Sequence, residues 1–194
     1  DAGLGVGTGD DNIDGGSGDD TIVGDAAVGV GVGDDNINGG SGNDTIMGDV
    51  ASTDPLPILG AGEASGNDTI DGGAGTGDEV DYVQDFNKGG TQDVTVDLSA
   101  GTAIDGFGGV DTLSNIENIR AGVFDDTLTG DANANRFIGS DGNDTIDGGD
   151  GIDEVSYSQD SIFGGTLGVT VDLSAGTATD GFGSTDSLTN IESV

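Results

Sequence analysis

The chain has 194 residues, 38 of them Asp or Glu against 3 Lys or Arg, for a net charge of −35, with 41 Gly, 4% aromatic residues and neither Cys nor His. This balance excludes nucleic acid and anionic membrane as partners, which are bound through Lys and Arg. It also excludes disulfides, thiolate or imidazole metal sites and His-based catalysis. So acidic and Gly-rich a chain folds only if something neutralises it, and the candidate is a hard divalent cation held by oxygen.

Internal repeats organise everything else. Residues 6–14 and 15–23 follow G-G-x-G-x-D-x-U-x, where U is large and apolar, the first loosely and the second closely. Residues 30–38 and 39–47 do the same, so that 1–24 aligns with 25–48 at a period of 24 residues: two nonapeptides plus six more. A third copy starts at Asp49. Its first nonapeptide is replaced by Pro55-Leu56-Pro57-Ile58-Leu59, read as an outward loop because Pro cannot donate to a sheet ladder. Residues 63–71 return to phase, and a one-residue insertion at Thr76 or Gly77 follows. Residues 121–156 are four nonapeptides in unbroken register, with Leu128, Phe137, Ile146 and Val155 at the apolar position and Asn135 in place of one Asp. Residues 82–119 match 157–194 at a constant offset of 75. The expected organisation is a nonapeptide block at 1–81 with insertions at 24–29 and 48–62, an irregular solenoid segment at 82–120, a second block at 121–156 and a second copy of the segment at 157–194. All four belong to one continuous solenoid.

Nine residues divide into a six-residue turn and a three-residue strand. Glycine at positions 1, 2 and 4 permits positive φ and close backbone approach. Side chains alternate faces along the strand, so position 8 points inward. Two nonapeptides then make one coil, with Ile13 and Ile22 on opposite sheets and Ile37 and Ile46 stacked on the next. The fold class is all-β, a right-handed parallel β-roll or β-helix with calcium in its turns. Stacked turns bring the position-6 acids Asp11, Asp20, Asp35, Asp44, Asp68, Asp78, Asp126, Asp144 and Asp153 into rows at about 4.8 Å. Ca²⁺ takes 6–8 oxygens at about 2.3–2.6 Å, so several ions suit the space between turns, with carboxylates and turn carbonyls as ligands. The position-5 acids Asp10, Asp19 and Asp34 read as outward solubilising charges.

The nonapeptides resemble the RTX (repeat-in-toxin, hemolysin-type) calcium-binding family. Residues 94–120 and 169–194 resemble the V-D-L-x-x-G-T-A … D-T-L-x-x-I-E-N linkers between such blocks in large secreted RTX proteins. The resemblance implies type I secretion by a Gram-negative bacterium, folding in extracellular calcium, and a secreted or cell-surface location. It carries the ligand role to the position-6 Asp residues and to the turn glycines Gly7, Gly9, Gly16, Gly18, Gly31, Gly33, Gly40, Gly42, Gly66, Gly73, Gly75, Gly142, Gly149 and Gly151. Asn135 departs from the pattern, which puts the site at its turn in question.

Paired carboxylates also serve glycosidases, but here pairing is periodic, as structural sites are and a unique catalytic pair is not. No enzyme activity is expected. The Asp-Gly-Phe-Gly stretches at Asp105 and Asp180 read as turns. Tyr82, Tyr157, Phe86 and Phe163 are expected to cover the roll rather than touch a ligand. The expected function is a calcium-dependent structural segment of an adhesin, S-layer or filament body. The alternative is the C-terminal calcium-folding and secretion module of an RTX protease, lipase or polysaccharide-modifying enzyme. Calcium is the expected partner, copies of the chain itself are a further candidate, and membrane insertion is not expected.

Overall fold

A computed structural model describes residues 2–4, 9–25, 33–49, 66–83, 85 and 90–194. Gly7, Gly31, Phe86 and the Pro55–Leu59 stretch lie outside the described residues.

The strands alternate between two sheets as the period demands. One is wholly parallel, in the order β1 (Ala2–Leu4), β3 (Thr21–Asp25), β5 (Thr45–Asp49), β7 (Glu79–Asp81), β11 (Asn118–Arg120), β13 (Arg136–Ile138) and β15 (Glu154–Val155). The other begins with β2 (Asn12–Asp14), β4 (Asn36–Asn38), β6 (Thr69–Asp71) and β10 (Val110–Ser114). It continues through β9 (Thr102–Ile104), β8 (Thr95–Asp97), β12 (Thr127–Thr129) and β14 (Thr145–Asp147) to β18 (Thr185–Thr189), β17 (Thr177–Thr179) and β16 (Thr170–Asp172). The helix α1 (Asp160–Phe163) is a single turn ended by Gly164 at φ 113°, and Val83 and Asp85 are also helical.

Register follows the apolar position. Ile13 pairs with Ile37 and Ile37 with Ile70, while Ile22 pairs with Ile46 and Ile46 with Val80. Each nonapeptide strand sends its apolar middle side chain inward, so the core is two facing rows one side chain deep. Ile22, Ile46, Val80, Ile119, Phe137 and Val155 form one row, and Ile37, Ile70, Val96, Leu128 and Ile146 lie in the other, all buried. Such a core buries little apolar area per residue, and the backbone ladders and turns must contribute the rest.

The 75-residue units are more regular than their sequence suggests. β8, β9 and β10 form an antiparallel meander whose outer strands rejoin the parallel ladder, β10 on β6 and β8 on β12. Two side chains make its turns. Asp97 Oδ1 accepts the Ser99 hydroxyl and the Ala100 N–H, and Gly101 at φ 68° reverses the chain. Asp105 Oδ1 accepts the N–H groups of Phe107, Gly108 and Gly109. β16, β17 and β18 repeat the meander with Asp172, Gly176 and Asp180 in the same roles. Each meander widens one sheet by two strands that the other lacks.

Candidate metal centre

The turns carry the chemistry. Gly40 stacks on Gly16 and Gly73 on Gly40, each at positive φ, so close that a Cβ would strike the carbonyl oxygen beneath. Gly42 lies over the carbonyl of Gly18, Gly75 over Gly42, Gly33 over Gly9 and Gly66 over Gly33. In the second block Gly142, Gly149 and Gly151 instead lie over the carbonyls of Phe124, Asp131 and Asn133. Consecutive turns therefore present stacked backbone carbonyls to one another.

The position-6 acids form columns with a fixed polarity. The N–H of Asp11 donates to Asp35 Oδ1, that of Asp35 to Asp68, and that of Asp68 to Asp111. Along the other edge Asp20 donates to Asp44, Asp44 to Asp78, and Asp78 to Glu117 Oε2. In the second block Val94 donates to Asp126, Asp126 to Asp144 and Asp144 to Asp186, while Asn135 donates to Asp153 and Asp153 to Glu192. Oδ1 is thus spent on the ladder. Oδ2 of Asp44, Asp78, Asp144 and Asp153 is buried and meets no hydrogen-bond donor. Beside Gly39, Asp44 Oδ2 and the Gly72 carbonyl oxygen each stand 2.5 Å from the place a Cβ would take.

A buried carboxylate oxygen without a donor costs several kcal/mol unless a proton or cation meets it. Burial pushes Asp126 up to about 7 and Asp144 up to about 9, and it raises Asp78 and Asp153 as well. No three acidic side chains among the described residues gather into a ready-made metal cluster. Columns at strand spacing cannot do so, and the turn carbonyls must supply most of an ion's oxygens. That donor set, all oxygen and mostly neutral, suits Ca²⁺.

Asn135 shows what the turn does without an acid. Its Oδ1 accepts the Asp131 N–H at 2.9 Å and its Nδ2 donates to the Glu117 carbonyl at 3.1 Å, so an amide proton fills the place of a charge. Asn135→Asp is expected to add one bound calcium ion per chain, counted by native mass spectrometry. An unchanged count would sink the assignment of the turn.

Four column members were not singled out from sequence: Asp111, Glu117, Asp186 and Glu192. Their signal is present in Asp111-Thr112-Leu113 and Glu117-Asn118-Ile119, which keep the acid-x-apolar order of positions 6 to 8 without the glycine turn. The position-5 residues do more than solubilise. Asp10 accepts the Asp34 N–H, Asp34 that of Asn67, and Asn67 that of Val110, an exposed outer ladder parallel to the buried one.

Residues 6–27, 30–50, 64–77 and 120–155 match the RTX calcium-binding nonapeptide repeat in four copies. No curated protein matches the chain.

Proposed function

As its four repeat blocks place the chain in the RTX calcium-binding repeat family, we propose that it is a calcium-dependent structural β-roll segment of a secreted or cell-surface protein. It forms part of the body of an adhesin, S-layer subunit or filament and performs no catalysis. The observation that carries this reading is the pair of carboxylate columns. Buried, donorless oxygens stand in them at Asp44, Asp78, Asp144 and Asp153, and ion binding there is folding energy rather than an accessory. The columns continue from the nonapeptides into the 75-residue units through Asp111, Glu117, Asp186 and Glu192.

Repetition supports the structural role over an enzyme's folding module. β8 carries β12 on its outer side, and Val94 beneath it is 2% exposed. The matching strand β16 is the edge of its sheet, and Val169 is 40% exposed. A nonapeptide strand fits that edge as β12 fits β8. Copies of the chain are partners of the right chemistry for such an assembly. RTX repeats are typical of secreted proteins, and among the described residues no helix is long and apolar enough to cross a membrane.

Calcium titration followed by far-UV circular dichroism tests the reading. Folding is expected at roughly 0.1 to a few mM calcium, the range of extracellular modules. Magnesium, which demands octahedral geometry and holds its water, is expected to fail. Equal folding in magnesium, or a micromolar calcium midpoint, would overturn it.

A further inference from the structure

Alternation of strands between the two sheets also sorts the outward side chains, and the two outer faces differ. Glu79, Arg136 and Glu154 break the run of Thr that opens the strands, yet all three lie on the wholly parallel sheet. There Arg120 pairs with Asp81, and Arg136 with Glu79 and Glu154. Ile138 and Ser156 on the same face are buried, so that face is covered there. The other sheet is bare. From β6 to β16 its nine strands carry no Lys, Arg, Glu or aromatic residue at an outward position, and Thr fills more than half of those positions.

The threonines stand in columns. Thr95, Thr127, Thr145, Ser187 and Thr177 are successive partners across five strands. Thr69, Thr112 and Thr102 are partners across three, and so are Thr170, Thr179 and Thr185. All but Thr179 are exposed. Neighbours stand about 4.8 Å apart along the sheet and about 7 Å apart along a strand. No hydroxyl in these columns is spent on a hydrogen bond among the described residues. The four strands that the meanders add to this sheet alone, β8, β9, β16 and β17, each open on an exposed Thr, so the insertions enlarge the same grid. The acids at the strand ends are engaged by turn groups. Asp71 accepts the Gly73 N–H and the Asn115 amide, and Asp147 the Gly149 N–H and the Asn190 amide. Asp97 and Asp172 accept the hydroxyls of Ser99 and Ser174.

We infer that this threonine face binds ice. Thr is stiff about χ1, so its methyl and hydroxyl hold fixed places, and the hydroxyl both donates and accepts. A rigid two-dimensional grid of such groups matches a partner that is itself periodic, uncharged and hydrogen-bonding throughout. Ile104 and Val110, 44% and 51% exposed, continue the grid beside Thr95 with methyl groups alone. Competing partners need what the face lacks. Protein interfaces are anchored by Trp, Tyr and Arg, nucleic acid by Lys and Arg, and a sugar ring by an aromatic plane.

The face exists only in the folded roll, so the inference rests on the calcium reading, and the test separates the two. In saturating calcium the chain is expected to show thermal hysteresis, to facet growing ice crystals and to enter the ice when a dilute solution is slowly frozen. Thr127→Tyr with Thr145→Tyr sets two long side chains at the middle of the grid, at exposed strand positions that suit Tyr, and is expected to abolish all three effects. Thr21→Tyr makes the same change at an exposed strand position of the other sheet and is expected to leave them unchanged. Circular dichroism of each sample in calcium tells loss of the roll from loss of the face. An unmodified chain that is β in calcium but neither facets ice nor enters it would overturn the inference and leave the roll standing. Full activity in the double variant, or equal loss in Thr21→Tyr, would overturn it as well. So would retention on microcrystalline cellulose without any effect on ice, which would make the partner a polysaccharide. A chain without β signal in calcium would overturn the roll and the face together.

Discussion

Stripped of metal at pH 7, the chain is expected to lose its β signal, and acidification to about pH 5 is expected to restore it without any ion. The sign follows from the direction of the shifts. Burial raises Asp144 to about 9, Asp85 to about 8, Asp126 to about 7, and Asp111 and Asp186 to about 6. Between pH 3.8 and about 9 the folded chain therefore binds more protons than the unfolded one. The stability these groups contribute is complete below their unfolded value and is lost as pH rises through the folded values. Between pH 7 and pH 5, at about 1.4 kcal/mol per pH unit, Asp144 and Asp85 each recover about 3 kcal/mol. Asp126, Asp111 and Asp186 act in the same direction.

Calcium reverses this dependence. An ion at a donorless Oδ2 requires the carboxylate to be ionised, so the calcium concentration for half folding is expected to fall as pH rises from 5 to 8. Circular dichroism of the metal-free chain across that range, repeated at fixed calcium, checks both arms. A metal-free chain equally folded at pH 5 and pH 8, or one that unfolds on acidification, would show that the columns do not carry the stability assigned to them.

Much of this was legible from the repeat alone. A nine-residue period with one inward position dictates which apolar residues stack, and Ile13 on Ile37 and Ile22 on Ile46 follow without any knowledge of the backbone. The position-6 acids were legible for the same reason. The meander was not. Thr95–Asp97 and Thr102–Ile104 are too short to announce strands, and the turn between them is made by the Asp97 carboxylate rather than by a recognisable dipeptide. Nor does sequence separate an exposed acid that only meets water from one such as Asp10, whose carboxylate caps an N–H 24 residues on.

Gly16 and Gly40 isolate how much of the fold depends on close stacking of turns. Both occupy position 2, with φ at 94° and 98°. Either substitution by Ala incurs the same left-handed backbone strain, about 1–2 kcal/mol. They differ in what lies beneath. Among the described residues a Cβ on Gly16 meets nothing within 4 Å, whereas one on Gly40 would overlap the Gly16 carbonyl oxygen and stand 2.8 Å from its nitrogen. Backbone cannot step aside as a flexible side chain can, so Gly40→Ala must open the gap between coils. That displaces the Gly16 carbonyl and breaks the Ser41 N–H bond to it at 3.0 Å. It also shifts the turn that ends in Asp44, whose Oδ1 holds the Asp20 N–H at 2.8 Å. Overpacking of a close-packed contact costs about 1–3 kcal/mol, and each buried hydrogen bond lost adds about 1 kcal/mol. Gly40→Ala is therefore expected to lower stability in saturating calcium by about 3–5 kcal/mol more than Gly16→Ala does, read from urea midpoints, and to raise the calcium needed for folding. Equal effects would mean that the turns are held by their ions alone, with the stacked carbonyls free to separate around them.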